Sequence, residues 1–390
     1  MRLALKLGLT ASLVIFGLAQ AATGLQRERV VLLLRHGIRP PTHEPALPVA
    51  VAPEAWPVWS TPNGELTPHG AQAIRLLGAF DRAWLAPGSA CPDFAVHADV
   101  DERTVQTGIA YAAGFAPGCA VQVSHLQAGP DRLFSPLDGG VPGFDADMAK
   151  AAMLQSAGGD LQAVVAAHKA LFTMMQSVLA PGGSTFLHAK AGIVLKGAGR
   201  MPEVTGPVKL GASGAEDFLL EYLDDKPMDQ VAWGRAGQDE ILELLALHPL
   251  AYQVTAQPAY IAKATAGGMA HAILAGLTGG PAVQILVGHD TNQADLAALL
   301  GLHWTLGGYP ADDPPPGGGI MFTLLRDGAG AEYVTATYQV QTPREIRNLT
   351  VLDASNPPAR QALPIPGCGD SATPTACRLP AFRALVGRLD

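Results

Sequence analysis

Two short apolar runs, one near each end of the chain, constrain its fold more than any other feature. Val30 to Leu34 is five apolar residues opening on two β-branched ones, and Val283 to Val287 reads VQILV. A strand with one face in water alternates apolar and polar residues. A run with little alternation fits a strand buried on both faces, as in a parallel sheet covered by helices. Each run ends abruptly in polar groups: Arg35-His36-Gly37-Ile38-Arg39-Pro40 after the first, Gly288-His289-Asp290 after the second. In open α/β sheets the ligand crevice lies beyond the carboxyl ends of the strands. If the two runs are parallel neighbours, Arg35, His36, Arg39, His289 and Asp290 converge there.

Between the runs the pattern turns helical. Leu161, Val164, Val165, Leu171, Phe172, Met175, Val178 and Leu179 fall at helical spacing, and Pro181-Gly182-Gly183 stops them. A second helical run includes Phe218 to Leu220 and a third covers Ile241 to Leu247. Asp312 to Gly319 (DDPPPGGG) excludes regular structure and reads as a rigid loop. Ile320 to Leu325 and Tyr333 to Val340 are expected to be further strands. The organisation predicted is an α/β domain built from residues 25–140 and 256–390, with a mostly helical domain inserted at 141–255.

The first residues read as an export signal. Arg2 and Lys6 precede an apolar stretch from Leu7 to Leu18, and Ala19-Gln20-Ala21 fits a small-x-small cleavage site, so the signal is placed at 1–21. The stretch is short for a spanning helix, and no membrane association is expected once it is removed. Four cysteines, Cys91, Cys119, Cys368 and Cys377, suit disulfides in an exported chain. Proximity favours Cys91 with Cys119 and Cys368 with Cys377, although four cysteines allow three pairings. Together these place the protein in a bacterial periplasm or outside the cell. With 48% hydrophobic and only 15% charged residues, the 390-residue chain can bury a large core. Its net charge of −8 gives no general attraction to nucleic acid.

The polar cluster suggests one chemistry. Guanidinium groups bind phosphate oxygens bidentately and stay charged, so Arg35 and Arg39 flanking His36 make a site for a tetrahedral dianion. A neutral imidazole there can attack phosphorus and form a phosphohistidine that water later removes. Gly37 leaves room for the phosphate, and its carbonyl can orient the other imidazole nitrogen. Asp290 is a suitable general acid for the leaving alkoxide. This scheme calls for no metal and no organic cofactor. Because Asp290 must be protonated to donate, the expected pH optimum is below neutrality.

RHGIRPPT at 35–42 and GHDTN at 288–292 resemble the two signatures of the histidine acid phosphatases, the acid phosphatase and phytase branch of the histidine phosphatase superfamily. Ala98 to Thr104 (ADVDERT), Pro57 to Pro68 and the surroundings of Trp233-Gly234-Arg235 resemble periplasmic bacterial phytases and glucose-1-phosphatases. The resemblance implies a mixed central sheet flanked by helices, with the site between it and the helical insert. It implies His36 as the phosphorylated nucleophile and Asp290 as the proton donor. Arg35, Arg39, Arg103 and His289 would bind the phosphate, and Thr42, Asp99, Glu216, His248 and Thr291 would contact substrate. Cys91–Cys119 and Cys368–Cys377 match two of the family's disulfides. The partner implied is a small phosphate monoester, met by a monomer, with phytate (myo-inositol hexakisphosphate) the leading substrate. Some phytases carry a lysine just after the first motif, where this chain has His43. Lys263 and Arg235 are candidate basic residues for a highly anionic substrate. Glucose 1-phosphate or a broad set of monoesters is the alternative. A phosphate mutase is disfavoured by export, and a non-catalytic binding protein by the presence of both a nucleophile and an acid.

Overall fold

The computed structural model describes residues 24–306, 308–368 and 375–389. The predicted export signal lies outside them. An eight-stranded sheet forms the centre, in the order β10-β8-β7-β1-β6-β2-β3, with β9 paired to β8. Its strands are β1 (Gln26–Arg35), β2 (Phe94–Ala98), β3 (Val123–Ser124), β6 (Val283–Gly288), β7 (Gly319–Arg326), β8 (Glu332–Val340), β9 (Ala359–Leu363) and β10 (Ala376–Arg378). Gly192–Val194 and Glu203–Thr205, β4 and β5, form a separate antiparallel pair. β1, β6, β2 and β3 run parallel, whereas β7 to β10 pair antiparallel. This is the mixed sheet expected.

The lack of alternation in β1 follows from its position. Val30, Leu32 and Leu34 point to one face, into a core with Ile74, Leu77, Val96, Tyr111 and Phe115. Val31 and Leu33 point to the other, into the larger core with Ile273, Leu277 and Leu286. Two helices, α1 (Pro68–Leu85) and α2 (Glu102–Phe115), pack together on the first face. They approach closely because Gly78 and Gly114 lie at the crossing: a Cβ on Gly114 would sit 2.8 Å from the Ala79 backbone nitrogen, which cannot move aside.

Six helices follow before residue 256: α3 (Ala146–Ser156), α4 (Leu161–Ala167), α5 (Lys169–Leu179), α6 (Pro207–Leu223), α7 (Gln238–Leu244) and α8 (Leu247–Thr255). The chain returns to the sheet through α9 (Ala259–Thr278), then α10 (Asp290–Leu300), α11 (Pro343–Arg347) and α12 (Leu379–Val386). The run expected over Ile241 to Leu247 divides into α7 and α8. Pro249 has no N–H to bond the Leu245 carbonyl, so the chain begins a new helix that holds the proline in its first turn. The run from Leu161 to Leu179 likewise divides at His168, whose ring nitrogen bonds the Val164 carbonyl. Cys91 is bonded to Cys119 and Cys368 to Cys377. Among the described residues no helix is long and apolar enough to cross a membrane.

Candidate active site

The register of the parallel strands brings the two motifs together. Arg35 at the end of β1 pairs with Gly288 at the end of β6, and the His36 N–H donates to the Gly288 carbonyl at 3.0 Å. On the other side of β6, the Asp99 N–H donates to the Val287 carbonyl at 3.0 Å, so β2 delivers Asp99 to the same edge. Two glycines allow the close fit. A Cβ on Gly37 would lie 2.8 Å from Leu66 Cδ1, and one on Gly288 would lie 2.7 Å from Phe134 Cδ1.

His36 is buried, and its Nδ1 lies 2.8 Å from the carbonyl oxygen of Gly37. A carbonyl can only accept, so Nδ1 carries the hydrogen and Nε2 keeps its lone pair. Burial, and then Arg35, Arg103, His289 and Arg39, hold the imidazole's pKa well below its usual value. The lowered pKa favours the neutral ring, with the Nε2 lone pair free. His289 stands edge-on to it with ring centroids 5.5 Å apart. His289 Nε2 bonds the Asp99 carboxylate at 2.9 Å, which turns Nδ1 toward Arg103 at 3.4 Å.

Three arginines surround these rings. Arg35 is fully buried; it donates to the Pro314 carbonyl at 2.6 Å and pairs with Asp290 at 2.9 Å and with Glu216. Arg39 reaches Glu216 at 3.2 Å, and Arg103, near the start of α2, reaches Asp101 at 2.6 Å. The Nε–H groups of all three are buried without a partner among the described residues. Buried donors are ordinarily satisfied, and three unsatisfied guanidinium donors around one imidazole suit an incoming oxyanion.

Asp290 opens α10, where the helix dipole favours a carboxylate. Burial pushes its carboxyl up, but Arg35 and His248 outweigh burial and hold it well below the usual range. His248 Nε2 lies 3.7 Å from Asp290, and its Nδ1 bonds Asp313 at 2.8 Å. Burial alone would discharge this imidazole, but the Asp290 and Asp313 carboxylates raise its pKa to about 10. His248 is thus a buried cation behind Asp290. Glu216, 4.0 Å from His248, and the Tyr252 hydroxyl, at 3.2 Å, complete its surroundings.

Arg39, Glu216, His248, Asp290 and Thr291 line a cavity of about 550 Å³, whereas Arg35, His36, Arg103 and His289 are not in its lining. Thr291, exposed, and His248, buried, belong to its wall; Thr42, exposed, and Asp99, buried, do not. Glu216 sits between Arg35 and Arg39, bonded to both. Neither Lys263 nor Arg235 lines the cavity; Arg235 is bonded to Glu54 and to the Val178 carbonyl. The lysine in the cavity wall is Lys209. Sequence reasoning missed Asp313, Asp101 and Gln293. Gln293 bonds the Gly318 carbonyl at 2.7 Å and receives the Tyr338 hydroxyl at 2.8 Å, bracing the DDPPPGGG loop behind Arg35. Asp101 could have been found from its place beside Arg103 in ADVDERT.

One consequence concerns pH. Asp313→Asn removes a carboxylate that keeps His248 charged, so His248 should deprotonate at lower pH. An NMR titration of the His248 ring should show this lower pKa in the variant, because Asp313 is one of the carboxylates that raise it. An unmoved ring titration would show that Asp313 does not hold the charge.

No family model matches the chain. It is 33% identical to phytase AppA of Escherichia coli (strain K12), an alignment covering 94% of this chain and 93% of that protein. It is 29% identical to a glucose-1-phosphatase of Salmonella typhimurium, covering 88% of each. Among solved structures it is similar to a Hafnia alvei phytase in complex with tartrate, with a TM-score of 0.87, 33% identity, and coverage of 94% of this chain and 97% of that one.

Proposed function

The chain belongs to the histidine acid phosphatase family, and from that premise we propose that His36 hydrolyses phosphate monoesters by forming a phosphohistidine, with phytate as the substrate. The observation that carries the reading is the neutral imidazole of His36, its Nδ1 held by Gly37, among three arginines with unsatisfied buried donors. Arg35, Arg39, Arg103 and His289 hold the phosphate oxygens. His36 Nε2 attacks phosphorus as the bond to the ester oxygen breaks, and Asp290 gives its proton to that oxygen. Water then attacks the phosphohistidine. Asp290, now a carboxylate, takes the water's proton, the phosphorus–nitrogen bond breaks, and inorganic phosphate leaves with His36 restored.

Asp290 is ionised in the empty site, yet it acts as an acid. The arriving dianion accounts for the change. Phosphate takes over the guanidinium of Arg35 and cancels the positive field that depresses Asp290, so its carboxyl rises. The disulfides support a working place outside the cytoplasm.

Phytate as substrate is supported by the likeness to phytases over most of the chain. A second reading, glucose 1-phosphate, is favoured by His43 standing where some phytases have lysine and by the likeness to a glucose-1-phosphatase. The two are separated by phosphate release from purified protein at about pH 5. The expected result is a higher kcat/KM for phytate. A preference for glucose 1-phosphate would assign the second reading, and release from neither would remove both.

A further inference from the structure

The cavity reaches the proposed reacting groups at Arg39, Glu216 and Asp290 and continues away from them, and one face of α6 forms part of its wall. Lys209, Ser213 and Glu216 all line it. They are spaced by four and three residues, so they lie one above another on the helix. Glu216 marks the reacting end through its bonds to Arg35 and Arg39. Seven residues at the helical rise put the Lys209 backbone about 10 Å from that of Glu216, the scale of a ring carrying phosphates on opposite sides.

The ammonium of Lys209 is not tied up in a salt bridge among the described residues. It is exposed, and it makes no hydrogen bond or ion pair to another described residue. Arg39, the guanidinium in the same wall, is bonded to Glu216. Of the acids around it, Asp217 interacts with Lys209 but is raised by burial to about 7, and Asp138 is an exposed carboxylate in the same wall. Glu203 is paired with Lys196 at 2.6 Å, and burial raises Asp295 to about 8, so Asp295 is neutral under acidic conditions. Lys209 also lies in the first turn of a 17-residue helix, where the helix dipole adds positive potential.

We propose that Lys209 is a specificity-determining residue: it binds a second phosphate of the substrate while the first lies against His36, so the cavity selects esters carrying two or more phosphates. The proposal rests on the phosphatase reading above and adds the residue that recognises the rest of the ester. It gives Lys209 no part in bond breaking, so monophosphates should not sense it.

The test compares the unmodified protein with Lys209→Ala and Lys209→Arg on phytate, p-nitrophenyl phosphate and glucose 1-phosphate at acidic pH. For Lys209→Ala, kcat/KM on phytate is expected to fall about tenfold, as loss of one charge-assisted contact implies, mainly through KM. Both monophosphates should be hydrolysed as before, and Lys209→Arg should restore most of the loss. An unchanged KM for phytate, or an equal loss on all three esters, would overturn the proposal. Failure of the unmodified protein to release phosphate from p-nitrophenyl phosphate would remove the phosphatase reading, and this proposal with it.

Discussion

His36→Ala is expected to abolish the phosphoenzyme and to lower monoester hydrolysis on the order of 10⁴-fold or more, as loss of a catalytic nucleophile typically does. The effect should be confined to chemistry. The arginines do not depend on the imidazole for their positions: Arg35 is held by Pro314, Asp290 and Glu216, Arg39 by Glu216, and Arg103 by Asp101. The variant should therefore still bind inorganic phosphate, seen as a rise in Tm with phosphate concentration. Rapid quench of the unmodified protein with a ³²P-labelled ester should trap acid-labile, base-stable label, and the variant should trap none. Label that survives in His36→Ala would place the nucleophile elsewhere.

Asp290→Asn should lower activity in proportion to how poor the leaving group is. An alkyl alkoxide needs the proton, so loss of the acid should slow an alkyl phosphate about 10²–10⁴-fold, the range for general acid catalysis. p-Nitrophenolate leaves readily without a proton and should be slowed much less. A second effect follows from the empty-site geometry. Asp290 pairs with Arg35 at 2.9 Å, so it competes with the phosphate for that guanidinium. The asparagine removes a negative charge from the anion site, and KM for a dianionic ester should fall or hold while kcat drops. Equal slowing of both esters would take the proton-donor role away from Asp290. A raised KM with kcat preserved would make it a binding group instead.

Parts of this design are legible residue by residue. The runs at Val30 and Val283 announce buried strands because both faces of β1 are covered, by α1 and α2 on one side and α9 on the other. The polar residues after those runs stand out for the same reason: Arg-His and Gly-His-Asp follow directly on stretches that are buried to their last residue. The helix breaks are less visible. Periodicity records which face of a segment is apolar, and α7 and α8 keep a common apolar side across the break imposed by Pro249. Glu216 shows the limit of local reading. It lies within an apolar helix and is drawn to the site by Arg35 and Arg39, far away in the chain.

The sequence by itself determined the class of sheet, the chemistry-bearing motifs and the residues available for a phosphohistidine reaction, because burial and covalent neighbourhood leave local traces. Tertiary structure alone decided the electrical state of that machinery. Asp313 reads as one more acid in a DDPPPGGG loop, until Trp304 Nε1 bonds its carbonyl and the loop sets its carboxylate against His248. Only then is His248 a buried cation, the proposed acid Asp290 an ionised carboxylate, and the proposed nucleophile His36 a neutral imidazole. These states depend on desolvation and on charges a few ångströms apart, quantities set by distances between residues remote in the chain, and no local pattern of residues encodes them.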